Sequence, residues 1–322
     1  MDFREQFKKN QRKTKVVITT FVFIMFFVGL LADVSIAPLY PSSLTDSLKG
    51  LLMLEGIPYI TIVVLAITAI GIFGISKKGH KIMLSGTKYR LISQEDNDLG
   101  QDERMLINIL EEMRISASLP YTPKLYIMET DDMNAFAAGW NENNTLVGVT
   151  RGLLNGLNRA EIQAVMAHEI GHIIHGDSKL TLYVGVLANV ILTVTNIFSH
   201  IAFFITGSNN AAANKARLLL LLLNLILPIL TQILYLYLSR SREYMADAAA
   251  VQLTGDNQAM ISALNKISGS YESNGKGRKS KKKKPKVGDN FRASANIYET
   301  GDSIFSTHPS IENRVKKLSG EK

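Results

Sequence analysis

Four apolar runs constrain what this chain can become: residues 16–32, 57–75, 182–205 and 218–238, none of which holds an acidic residue, lysine or arginine. At 1.5 Å rise per residue, about 20 helical residues cross the roughly 30 Å of hydrocarbon in a bilayer. The first, second and fourth runs read as membrane spans. The third contains Asn189, Thr193, Asn196 and His200 on one helix face; its length favours a span, and a buried core helix is the alternative. Interhelical hydrogen bonding accounts for that polar face. Ser35, Ile36 and Ala37 resemble a leader-cleavage site, but Pro38 follows and the run before it exceeds the usual 7–15 residues of a leader, so the first helix is expected to be retained.

Basic residues flanking the spans set the expected topology. Arg4, Lys8, Lys9, Arg12, Lys13 and Lys15 precede the first run, and Lys77, Lys78, Lys81, Lys88 and Arg90 follow the second, whereas 33–56 holds only Lys49. Both ends of the first hairpin are therefore expected in the cytoplasm. By continuity, 207–217 is a short outer loop and 239–322 returns inside. The expected organisation is an N-terminal hairpin over 1–80, a first catalytic part over 81–180, a second hairpin over 181–240 and a second catalytic part over 241–322, with a mobile loop at 273–290.

The formal net charge of +8 is local: the segment 276–286 carries eight basic residues and no acid, and the rest of the chain balances. That excludes a basic face over the whole molecule and argues against a nucleic-acid partner. A loop near an anionic inner leaflet, or a plain solvated insert, fits the segment. The chain has no cysteine, which removes disulfides, thiolate metal sites and a cysteine nucleophile.

Between the hairpins, 102–117 has helical apolar spacing, 124–128, 134–139 and 145–150 read as short strands, and Asn158 with Glu161 fits a capped helix start. That last helix contains Ala167-His168-Glu169-Ile170-Gly171-His172. Residues four apart share a helix face, so His168 and His172 can present ring nitrogens to one metal ion. A catalytic zinc takes three protein ligands and keeps an open position, and its water has a pKa near 7. Glu169 lies close enough on the helix to take the water's proton and pass it to a leaving amine. For the third ligand, His175 is a weak candidate. Glu243 is the better one, with Asp247 four residues on and able to accept a hydrogen bond from a ligating imidazole.

With these motifs the chain resembles HtpX-type membrane zinc metalloproteases, in the wider family that includes CAAX prenyl endopeptidases. The resemblance rests on His168–Asp177, on Arg242–Asp247, on 134–139, on Thr307-His308-Pro309-Ser310 and on two hairpins in matching places. It implies an α+β membrane protein with four transmembrane helices and a zincin-like cytoplasmic catalytic domain with a small sheet. It further implies one zinc per chain on His168, His172 and Glu243, Glu169 as base, and cleavage of misfolded or damaged membrane proteins on the cytoplasmic side of the cell (inner) membrane. Two more roles are expected: Asn134, Ala135, Phe136, Ala137, Ala138 and Gly139 as an exposed edge strand on which unfolded polypeptide adds, and His308 as stabiliser of the oxyanion. Retention of full activity by His308→Ala excludes the latter. A prenyl-peptide processing protease and a non-catalytic zinc-stabilised membrane scaffold are the alternatives.

Overall fold

The structure, a computed structural model, describes residues 3–36, 58–84, 87–139, 141–204, 218, 221–230, 241–277 and 309–321. In order these form α1 (Phe3–Ile36), α2 (Tyr59–Leu84), β1 (Tyr89–Ile92), α3 (Gln101–Ser116), β2 (Lys124–Met128), β3 (Ala135–Ala138), β4 (Leu146–Thr150), α4 (Arg151–Gly156), α5 (Arg159–His175), α6 (Asp177–Phe204), α7 (Leu221–Leu230), α8 (Ser241–Thr254), α9 (Asn257–Gly277) and α10 (Ile311–Ser319). The chain divides into two compact units. One comprises Met1–Lys13, Lys78–Gly185 and Leu238–Lys322; the other comprises Thr14–Lys77 and Val186–Tyr237.

The first unit is a mixed α+β body. Its sheet has the order β1-β2-β4-β3, with β2 and β4 parallel and the other pairs antiparallel. In register, Leu125 faces Val147 and Ala137 also faces Val147 from the other side. Leu106, Ile109 and Leu110 of α3, Ile162, Val165 and Ile170 of α5, and Met260, Leu264 and Ile267 of α9 close over the sheet as one buried core. Burial of such side chains contributes about 1.5–3 kcal/mol each relative to exposure. Helix α5 is buried on nearly every side, which explains why its sequence lacks a polar face. Its start is fixed as the sequence predicts: Asn158 accepts from the Glu161 amide at 3.0 Å and Glu161 accepts from the Asn158 amide at 2.8 Å. Ser262 and Lys266 of α9 then donate to Glu161 at 2.6 and 2.8 Å, tying the capped end into the core.

The second unit is helical. Asp33 near the end of α1 accepts from the amides of Ile60 and Thr61 at 2.9 and 2.8 Å, capping α2. A Cβ on Gly29 would stand 2.6 Å from the Thr61 backbone, so the two helices meet at bare backbone. The hydrogen bond joining α6 to α7 runs from Ser199 to Asn224 at 3.0 Å. Asn196 and His200 are exposed instead, because the helix contact falls on the neighbouring face.

Among the described residues two helices are long and apolar enough to cross a membrane, Glu5–Asp33 and Asp177–His200, and Tyr59–Gly74 and Leu221–Leu230 are shorter apolar helices. The remainder of the fourth apolar run lies outside the described residues. Helix α9 extends to Gly277, so the opening residues of the segment expected as a loop are helical, and 278–308 lies outside the described residues.

Candidate metal centre

Helix α5 carries His168 and His172 one turn apart, with Nε2 atoms 3.1 Å from each other and rings nearly perpendicular. Each ring is held from behind by a carboxylate. Asp247 of α8 lies 3.0 Å from His168 Nδ1, and Asp177 lies 3.0 and 3.1 Å from His172 Nδ1 through its two oxygens. An ionised carboxylate only accepts, so in the neutral tautomer of each ring Nδ1 carries the proton and Nε2 turns a lone pair to the shared space. Glu243 of α8 completes the group, with oxygens 3.6 Å from His168 Nε2 and 3.9 Å from His172 Nε2. These three side chains place one ligand atom each within 4.8 Å of one another. His175 is buried and is not part of this group.

Convergent lone pairs repel unless a cation lies between them, and the donors suit one. Zinc bonds of about 2.0–2.1 Å in a tetrahedral arrangement set donor atoms roughly 3.3 Å apart, near the 3.1, 3.6 and 3.9 Å found here. His168 and Glu243 are almost wholly buried, whereas 14% of the His172 side chain remains exposed, which leaves the group one open side. The surrounding carboxylates favour positive charge here, as a proton on His172 when no ion is bound. Burial disfavours a charged imidazole, but Asp177 and Glu243 overcome it and push His172 up to about 9.

Glu169 is 1% exposed, and neither carboxylate oxygen makes a hydrogen bond of ordinary geometry. The backbone of Ala137 in β3 acts on it to favour the charged form. Burial pushes the Glu169 carboxyl above the usual range, the neighbouring imidazoles of His168 and His172 oppose this, and the charge of Glu243 adds to it. A buried carboxylate without a protein partner is costly and commonly serves a reacting group.

Local geometry explains how the pieces meet. Gly176 ends α5 with φ of 69°, a left-handed cap, and its amide bonds back to His172 and Ile173. The turn brings Asp177 beneath His172; a Cβ on Gly176 would also stand 2.4 Å from the Phe7 ring. Gly171 lets α8 approach: a Cβ there would sit 3.0 Å from Ala249 Cβ. Two site residues carry no expected role from the sequence, Asp177, which closes the motif at 168–177, and Arg314. Arg314 of α10 is 1% exposed and grips both oxygens of Asp247 at 2.9 and 2.6 Å. Burial would raise the Asp247 carboxyl, but Arg314 and His168 hold it below the usual carboxylate range. The helix start at Ser310, which accepts from the Asn313 amide at 3.3 Å, was the available signal for α10.

Of the other expected residues, Ala135, Phe136, Ala137 and Ala138 form β3, flanked by Asn134 and Gly139. Strand β3 stands at the end of the sheet order and its side chains are buried. His308 lies outside the described residues.

Peptidase family M48 matches residues 100–322. Over 322 residues the chain is 42% identical to the "Protease HtpX homolog" of Helicobacter pylori strain Shi470, covering 99% of this chain and 98% of that protein. The "Protease HtpX homolog" of Streptococcus uberis is 30% identical, covering 98% of each. Among solved structures, that of S. mikatae Ste24p superposes with a TM-score of 0.43 at 17% identity, covering 98% of this chain and 66% of that one.

Proposed function

The chain belongs to peptidase family M48 and is a metalloprotease, and from that premise we propose that it is a membrane-embedded zinc endopeptidase working on the cytoplasmic side of the inner membrane. The observation that carries this reading is the buried, unpartnered Glu169 carboxylate beside three convergent donors. His168, His172 and Glu243 would hold the ion. A bound zinc would make water acidic enough to attack a carbonyl near neutral pH and would polarise that carbonyl. Glu169 takes the proton of the attacking water and delivers it to the leaving amine, a role its burial-raised pKa suits. Asp247 and Asp177 keep both imidazoles in the tautomer that ligates. Glu169→Gln keeps every donor in place, so it is expected to retain zinc and to lose cleavage of a casein-like or unfolded membrane substrate by at least about 100-fold. Cleavage at the wild-type rate excludes this mechanism.

Substrate chain is proposed to add as an extended strand along β3. The backbone of Ala137 acts on Glu169, so a peptide paired along β3 would run beside that carboxyl. Ala137→Pro removes the backbone N–H of that residue and is expected to lower turnover with zinc content unchanged; unaltered turnover sinks the idea. Four spans and a cytoplasmic catalytic unit are supported by the apolar runs and by the basic residues flanking the first hairpin. Misfolded or damaged membrane proteins are the proposed substrates, on the resemblance to HtpX-type proteases.

A further inference from the structure

A cavity of about 420 Å³ in the first unit takes no part in the metal centre. Lys9 and Lys13 of α1, Arg242 of α8 and Lys317 of α10 line it, and its lining includes no carboxylate. Three stretches far apart in the chain thus bring four cations to one space. Among the described residues none of the four has a carboxylate within salt-bridge distance. Asp177 acts on Lys13 and Arg242 from farther off, and it is already engaged by His172.

Arg242 makes this more than a basic surface. It is 2% exposed, Nη1 donates to Thr181 Oγ1 at 2.6 Å, and Nε is buried with no acceptor. A buried guanidinium with an unanswered N–H retains the full desolvation penalty of that group until an acceptor arrives. Lys317 stands 4.3 Å over the Tyr244 ring, which holds its ammonium at the cavity. A planar guanidinium with point charges around it is the recognition set for phosphate. The cavity is larger than a bare ion needs, which favours a phosphate with a group attached. Its residues also flank apolar runs: Lys13 lies just before 16–32 and Arg242 just after 218–238. Basic residues at such positions meet lipid headgroups.

We propose that this cavity binds the phosphate of an anionic phospholipid headgroup. The assignment is independent of the zinc and of proteolysis. The test uses the full-length, zinc-loaded protein in a non-ionic detergent and follows its thermal midpoint at constant ionic strength. The probes are dihexanoyl phosphatidylglycerol, dihexanoyl phosphatidylcholine and inorganic phosphate. Phosphatidylglycerol at ten times its half-saturating concentration is expected to raise the midpoint by about 3 °C, and the other two by much less. The double variant Lys9→Glu, Lys317→Gln alters exposed positions and is expected to raise the half-saturating concentration about tenfold or more. Lys9→Arg with Lys317→Arg keeps the charges and should keep the shift. An equal rise with inorganic phosphate overturns the lipid source in favour of a soluble phosphate compound. No rise, an equal rise with phosphatidylcholine, or a rise untouched by the charge-changing variant overturns the site.

Discussion

Each imidazole of the candidate centre leans on a carboxylate from a different place, His168 on Asp247 of α8 and His172 on Asp177 just beyond the α5 cap. The two supports differ in how visible they are. Asp247 follows Glu243 at helical spacing, so its face is readable from the sequence. Asp177 follows a helix-ending glycine, and only the left-handed turn at Gly176 returns it to His172. Arg314 belongs to a separate helix, and periodicity does not report which buried acid it grips. The same carboxylates govern pH behaviour. In the metal-free site His172 lies at about 9, above its ordinary 6.5. A raised folded pKa stabilises the metal-free fold fully below about 6.5, and that contribution fades as pH climbs to 9. Zinc must displace the proton. The zinc Kd is therefore expected to fall about tenfold per pH unit between 6.5 and 9 for His172 alone, and to level off above. Competition against a chelating indicator measures it; a Kd flat across that window contradicts the assignment.

Between elements, the decisive contact is the approach of α8 to α5. Gly171 stands where a Cβ would be 3.0 Å from Ala249 Cβ and 3.4 Å from Ala246 Cα. The helices meet there without side chains between them, and Glu243 one turn earlier on α8 is carried into reach of both histidines. Gly171→Leu is expected to destabilise the fold by about 1–3 kcal/mol through overpacking. Zinc content should also fall, since pushing α8 outward withdraws Glu243. A stable variant with full zinc shows that the approach is not needed. The capped start of α5 was legible because a capping box is a local pattern. β1 and α4 were not: Tyr89–Ile92 shows no sustained alternation of apolar and polar residues, and the six residues of Arg151–Gly156 hold less than two helical turns and two glycines.

Across the whole chain, the apolar runs were the most legible feature, since charge-free length needs no tertiary knowledge. The separation of the candidate site's residues by the third and fourth apolar runs is equally plain. His168 and His172 precede those runs, and Glu243, Asp247 and Arg314 follow them. A chain ending at residue 240 retains the two histidines and Glu169 but lacks the third donor and the groups that orient His168. Such a chain is expected to bind zinc at least about tenfold more weakly, measured by metal content after gel filtration; full occupancy contradicts a shared site.

That division has a consequence in time as well as in space. During synthesis the histidines emerge first, the third and fourth apolar runs follow, and Glu243 leaves the ribosome only afterwards. A half-made chain therefore holds the two histidines and Glu169 without the third donor. The order of the segments acts as a delay on the blade, released when the last helices fold back.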